Sequence, residues 1–308
     1  MLKEKTSSER SGEAAALRER VDGRLAELVP PDSAPPERLH RAIRYSLLAP
    51  GKRIRPTLTL LATRSLGGSE EQALDAACAV EMVHAASLIV DDMPFMDDAD
   101  ERRGLPSAHR EFGLEVATLA SLALLNRAFS VLAQCSGPSA ETRINLVNGL
   151  SVALGDCGGA IAGQEEDLES PAGDEVTRPE LEKMVLHKTA ALFVASVEFG
   201  AFVADASSEQ LQSLRDFAWR FGLCFQALDD LADRPCPQAA EVGACQDHQD
   251  KVTFVSLLGV EGAWEAAEDH ARQAVEELEG IGLERSELAD LTLGLVQGQR
   301  NRQALIGL

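Results

Sequence analysis

Residues 81–104 read EMVHAASLIVDDMPFMDDADERRG, an almost wholly apolar helical stretch that runs directly into five aspartates and two arginines. A helix that is apolar on every side is stable only when buried. Burying this one carries its carboxylates inward. His84, Ser87 and Asp91 stand at i, i+3 and i+7 and share one face, while Pro94 must bend the chain and can let Asp97 swing back toward Asp91. Carboxylates crowded in this way repel one another unless a cation stands among them.

The remainder of the chain is also written for helices. Alanine, leucine and glutamate dominate its 308 residues, with one tyrosine and two tryptophans, a composition that favours helix over sheet. The fold class is therefore all-α: a single-domain helical bundle around a central cavity, with helical periodicity near 15–30, 36–48, 56–66, 70–92, 112–134, 139–165, 178–204, 208–234, 252–280 and 286–304. No segment reads as strand. Thr177, Pro179 and Glu180 form a capping-box pattern. Residues 1–14 carry charge throughout, without the apolar core of a signal peptide, and read as a flexible tail ahead of one domain over 15–308. The segment 234–249, with Pro235, Pro237 and Gly243, reads as a flap.

Net charge narrows the partners. At −21 the whole-protein field repels nucleic acid and anionic membrane surfaces, so an anionic ligand needs a local cationic pocket or a bound metal. The longest apolar run, 116–133, is interrupted by Asn126 and Arg127, and no membrane insertion is expected. Six cysteines show neither CxxC pairs nor zinc-like spacing, which reads as reduced thiols in a cytoplasm.

A second acidic run echoes the first. In FQALDDLAD, Gln226, Asp229, Asp230 and Asp233 recur at helical spacing along one side. Hard oxygen donors without imidazole or thiolate favour Mg²⁺, which typically bridges protein carboxylates to substrate phosphates. Either run alone is as well read as a solvated helix end; two matched runs, each after an apolar helix, point to several ions holding one polyphosphate. In PGKRIRP, the cations Lys52, Arg53 and Arg55 crowd the start of a helix opened by Pro56. They oppose the helix dipole there, an arrangement that makes sense when an anion docks on amides and guanidinium groups together. HKTAALF sets Lys188 and Thr189 in an apolar helix, where a lysine needs a partner or a path to solvent.

In order and spacing, GKRIRP, DDMPFMD followed by RRG, HKTAALF, FQALDDLAD and KVTF resemble the trans-prenyl diphosphate synthases, the farnesyl and geranylgeranyl diphosphate synthase family. The resemblance runs from about Leu25 to about Gly280 and implies residue roles. Lys52, Arg55, His84 and Arg103 would bind the diphosphate of isopentenyl diphosphate. Asp91, Asp97, Asp229 and Asp233 would bind Mg²⁺, with Asp92 and Asp230 supporting the metal shell. Arg102, Lys188, Thr189, Gln226 and Lys251 would hold the allylic diphosphate, and Gln164 and Asp167 of GQEEDL resemble a further position facing the cavity. The implied reaction ionises an allylic diphosphate, adds isopentenyl diphosphate and loses a proton to the released diphosphate. Farnesyl-producing relatives of this type carry an aromatic residue five positions before the first aspartate; here that position is Ala86, followed by Ser87. This implies a deeper cavity, a geranylgeranyl product and a role feeding carotenoids or other diterpenoid-derived compounds. A homodimer is implied, with 112–134 as an interface helix.

One departure stands out. No lysine occurs between Asp233 and Lys251, where the family usually has one in a GK stretch. The alternatives are a farnesyl diphosphate synthase, a class I terpene cyclase, which needs no GKRIRP, and a non-catalytic subunit that modulates an active synthase.

Overall fold

The computed structural model describes residues 7–169, 176–233 and 252–306. The chain forms two compact units, Met1–Asn148 with Phe202–Ala204, and Gly149–Ala201 with Asp205–Leu308.

The first unit contains α1 (Ser7–Leu28), α2 (Glu37–Leu47), α3 (Ile54–Ser65), α4 (Glu70–Asp91), the short α5 (Ala108–Phe112), α6 (Leu114–Gln134) and most of α7 (Ala140–Leu154). Its centre is α4, which packs on α3 and α6. Thirteen of its side chains are buried, from Ala73 to Ile89, on every side of the helix, as its all-round apolar composition requires. Between α4 and α5 lies a two-stranded antiparallel ribbon, β1 (Glu101–Arg102) and β2 (Leu105–Pro106). Pattern reading finds no strand here because two residues per strand are too few to alternate. The ribbon is made by its turn: Arg103 and Gly104 both have positive φ, 56° and 76°, the hairpin geometry that glycine favours.

The second unit contains α8 (Ala160–Glu169), α9 (Arg178–Val185), most of α10 (Ala191–Val203), α11 (Ser208–Ala232), α12 (Phe254–Glu279) and α13 (Glu287–Ile306). Leu223, Ala227 and Leu231 of α11 belong to one buried cluster with Phe254, Ala263, Ala267 and Ala271 of α12. Phe193 meets Phe221 edge to face at 5.1 Å; burying each such ring contributes roughly 1.5–3 kcal/mol. The capping box forms, with the Thr177 backbone N–H donating to Glu180 Oε2 at 2.8 Å.

The all-α expectation holds, with local corrections. Residues 7–14 belong to α1 rather than to a loose tail. The span 139–165 divides into α7 and α8 around the glycine-rich GDCGG, and the span 178–204 is interrupted at Leu186–Ala190 by one π-helical turn. Among the described residues three helical stretches, α4, α6 and Arg178–Val203, are long and apolar enough to cross a membrane, where the sequence reading allowed none; few charges fall inside an 18-residue window of each. Most of that window is buried in α4 and in Arg178–Val203, and less than half in α6.

Candidate active site

In the first unit the five aspartates, alike in sequence, take different partners. Past the end of α4 the chain folds back so that the Asp97 N–H donates to the Asp91 carbonyl at 2.9 Å. That return is the bend expected of Pro94, and it brings the two half-buried aspartates together. Asp92 is buried and accepts from Arg102 Nε at 2.9 Å. Asp98, held at φ 45°, turns to Arg110 at 3.3 Å, and Asp100 meets the same arginine at 2.7 Å. The last two therefore brace α5 and do not join the cluster.

The ribbon delivers the two arginines. The Tyr45 hydroxyl donates to the Pro106 carbonyl at 2.8 Å, tying β2 to α2. Arg102 then faces Asp92, while Arg103 lies over the loop before α3, so close that a Cβ on Gly51 would stand 2.9 Å from Arg103 Nη1. GKRIRP is divided by the fold. Arg53, the left-handed N-cap of α3, is buried and spent on Asp22 (2.7 Å), Glu81 (2.7 Å) and the Ala49 carbonyl (2.9 Å). Lys52 remains exposed and Arg55 half-buried. Of the three cations expected to meet an anion, Arg53 is therefore engaged by the protein's own carboxylates.

His84 sits among these cations. Burial first, then Arg55, Arg103, Arg53 and Arg102, hold its imidazole well below the ordinary histidine range, so it is neutral at pH 7. The folded ring thus gives up a proton that the unfolded one keeps, and stability rises with pH toward about 6.5 and is lost as pH falls below it. An NMR titration of the His84 ring is expected to place its midpoint below 6.5 in the free protein, and inorganic diphosphate should raise it. A midpoint unmoved by diphosphate would remove His84 from the anion site.

In the second unit, a chain of hydrogen bonds links the expected residues. Thr189 Oγ1 donates to Gln226 Oε1 at 3.0 Å, Gln226 Nε2 donates to Asp230 Oδ1 at 2.8 Å, and the Phe254 N–H donates to Asp230 Oδ2 at 2.7 Å. Asp230 thereby joins α11 to the first turn of α12, while burial pushes its carboxyl up against the opposing pull of these two donors. Lys188 finds the partner its setting demanded in Asp167, at 2.5 Å. Asp229 is half-buried and Asp233, the C-cap of α11, is exposed one turn on. Gln164 is half-buried on α8. Lys251, and the flap expected over 234–249, lie outside the described residues.

Sequence reading missed the π-turn and the contact of His187 Nδ1 with Glu166 Oε2 at 2.9 Å. The available signal was the spacing of Gly163, Glu166 and Asp167, which share one face of α8.

Among the described residues no three His, Cys, Asp or Glu side chains converge into a closed metal cage. Paired carboxylates, with waters and phosphate oxygens left to complete the shell, are the donor set that suits Mg²⁺. Asp91 with Asp97, and Asp229 with Asp233, fit that requirement.

Aspartate-tipped helices, accompanied by guanidinium and imidazole groups in one unit and by an ammonium group in the other, suit the class of enzymes that handle organic diphosphates. The polyprenyl synthetase family profile matches residues 36–282. The chain is 44% identical over 265 residues to a geranylgeranyl diphosphate synthase of Pantoea ananas, covering 84% of each protein. It is 43% identical over 247 residues to a chloroplastic geranylgeranyl pyrophosphate synthase of Catharanthus roseus, covering 79% of this chain and 69% of that protein. The crystal structure of an FPP/GFPP synthase from Zymomonas mobilis superposes with a TM-score of 0.83 at 31% identity, covering 94% of this chain and all of that one. The chain belongs to the polyprenyl synthetase family. It is a prenyltransferase of a family that elongates isoprenoid diphosphates and generally uses Mg²⁺.

Proposed function

We propose that this enzyme extends dimethylallyl, geranyl and farnesyl diphosphates with isopentenyl diphosphate and releases geranylgeranyl diphosphate. The observation that carries the reading is that each unit pairs an aspartate-tipped helix with its own cations and polar donors: Arg102, Arg103, Arg55 and His84 in one, Lys188, Thr189 and Gln226 in the other. Lys52, Arg55, His84 and Arg103 would bind the diphosphate of isopentenyl diphosphate. Arg102, Lys188 and Lys251 would oppose the charge that builds on the departing diphosphate, with Thr189 and Gln226 beside the allylic cation. Asp91, Asp97, Asp229 and Asp233 would hold Mg²⁺, which when bound neutralises leaving-group charge, and Asp92 and Asp230 would orient them. The family match runs through both units, and residues 15–308 would act as one catalytic domain.

Product length would be set on α4. Ala86 is 1% exposed and its carbonyl accepts from Ser121 Oγ of α6 at 3.0 Å. Bulk there overpacks the core, at about 1–3 kcal/mol. Ser87 is half-buried on the face of His84 and Asp91, so it is the better place to shorten the product.

The test is to incubate purified protein with Mg²⁺, labelled isopentenyl diphosphate and each allylic starter, then size the dephosphorylated products. A twenty-carbon alcohol from all three starters is expected; a fifteen-carbon limit would make it a farnesyl diphosphate synthase. Ser87→Phe should shift the main product to fifteen carbons. An unaltered product from a folded variant would sink the assignment of that face.

A homodimer would form through α6, whose Leu114, Leu119 and Leu122 are exposed, a patch suited to a partner surface. Cytoplasmic residence would suit the free thiols of Cys78, Cys135 and Cys224. Burial pushes the Cys224 thiol up to about 12.

A further inference from the structure

The π-turn Leu186–Ala190 has no local cause. Its sequence, LHKTA, contains neither proline nor glycine, and a widened turn sacrifices α-helical geometry that these residues would otherwise adopt. Two helices, α8 and α11, pack against it. On α8, a Cβ at Gly163 would stand 2.2 Å from the Lys188 amide nitrogen and 2.6 Å from the His187 carbonyl carbon. On α11, a Cβ at Gly222 would stand 2.5 Å from the Ala190 Cβ and 2.9 Å from its Cα. Both glycines thus lie against backbone that cannot swing aside.

Each glycine also begins a polar grip on its own helix face. Three and four residues after Gly163, Glu166 holds His187 at 2.9 Å and Asp167 holds Lys188 at 2.5 Å. Four residues after Gly222, Gln226 accepts from Thr189 at 3.0 Å. Four consecutive residues, His187 to Ala190, are therefore each engaged by one of the two helices. Lys188 is drawn to α8 and Thr189 to α11, a split that the added residue of the π-turn accommodates.

We propose that Gly163 and Gly222 are positioning residues that clamp the π-turn and so aim Lys188 and Thr189 at the ionising allylic group. The proposal rests on the reading that these two side chains act at that group. A Cβ on either glycine displaces the turn, and a displacement of about 1 Å at reacting groups costs on the order of 100-fold in rate.

Gly163→Ala, Gly222→Ala and the double variant Gly222→Ala/Ala190→Gly are to be compared by steady-state kinetics. Amide hydrogen exchange at Ala191 adds a second readout, since its bond to the Leu186 carbonyl closes the π-turn. Each single variant should lose about 100-fold in kcat with KM for isopentenyl diphosphate nearly unchanged, because Lys52, Arg55, His84 and Arg103 lie in the other unit. Ala190→Gly removes the 2.5 Å contact and should recover at least about tenfold of the Gly222→Ala loss. Wild-type kcat in both single variants would overturn the proposal, as would a kcat loss that Ala190→Gly leaves unrecovered. Ala191 protection unaltered in both would overturn the clamp even if the wild-type enzyme elongated nothing, an outcome that would separately refute the functional reading.

Discussion

Asp91→Asn is expected to lower turnover by about 10³-fold, whereas Asp98→Asn, seven residues on, should stay within about twofold of the parent. Both are aspartates of one acidic run, and composition does not tell them apart. The backbone does. Asp91 closes α4 on the face of His84 and is met by the returning Asp97 N–H at 2.9 Å, while Asp98 is turned out to Arg110 at 3.3 Å. Losing the carboxylate at 91 removes a hard donor from the proposed Mg²⁺ shell and with it part of the field that stabilises a departing diphosphate. Losing the one at 98 removes an exposed ion pair, which contributes no more than about 1 kcal/mol. Saturating-substrate rates across a Mg²⁺ titration separate the two cases. Equal losses at 91 and 98 would mean that the run acts as a diffuse acidic surface and not as a metal site.

Arg53→Met should destabilise the fold by about 3–5 kcal/mol, a fall in unfolding temperature on the order of 10 °C. Its neighbour Lys52→Ala should leave stability unchanged and raise KM for isopentenyl diphosphate. The Arg53 and Glu81 side chains are 2% and 3% exposed, so removing the guanidinium leaves a buried carboxylate without its counter-charge. The double variant Arg53→Met/Glu81→Leu should regain most of the loss, since a buried pair replaced by apolar side chains of similar volume costs little. Thermal melts of the four proteins decide the matter. An Arg53→Met variant as stable as the parent would refute the structural role and return Arg53 to the anion site.

These contrasts mark how far the sequence could be read. Helix-rich composition, the apolar stretch entering DDMPFMD and its echo in FQALDDLAD were legible because they rest on local rules: 3.6-residue periodicity, the bend at Pro94, the hardness of carboxylate donors. The pairing of Thr177 with Glu180 was legible for the same reason. Which of several identical side chains is structural was not legible, because it depends on partners far along the chain. Arg53 meets Asp22 and Glu81, 31 and 28 residues away, and Lys188 meets Asp167, 21 residues away.

By itself, then, the sequence determined the helical class, the positions of the two aspartate runs and the cationic motifs that accompany them, since each is encoded within a few consecutive residues. Tertiary packing alone decided that Asp98 and Asp100 turn to Arg110, that Arg53 is structural, and that LHKTA lies in a π-turn against Gly163 and Gly222. Those outcomes follow from steric and electrostatic contacts between segments brought together by folding, and no local pattern carries that information.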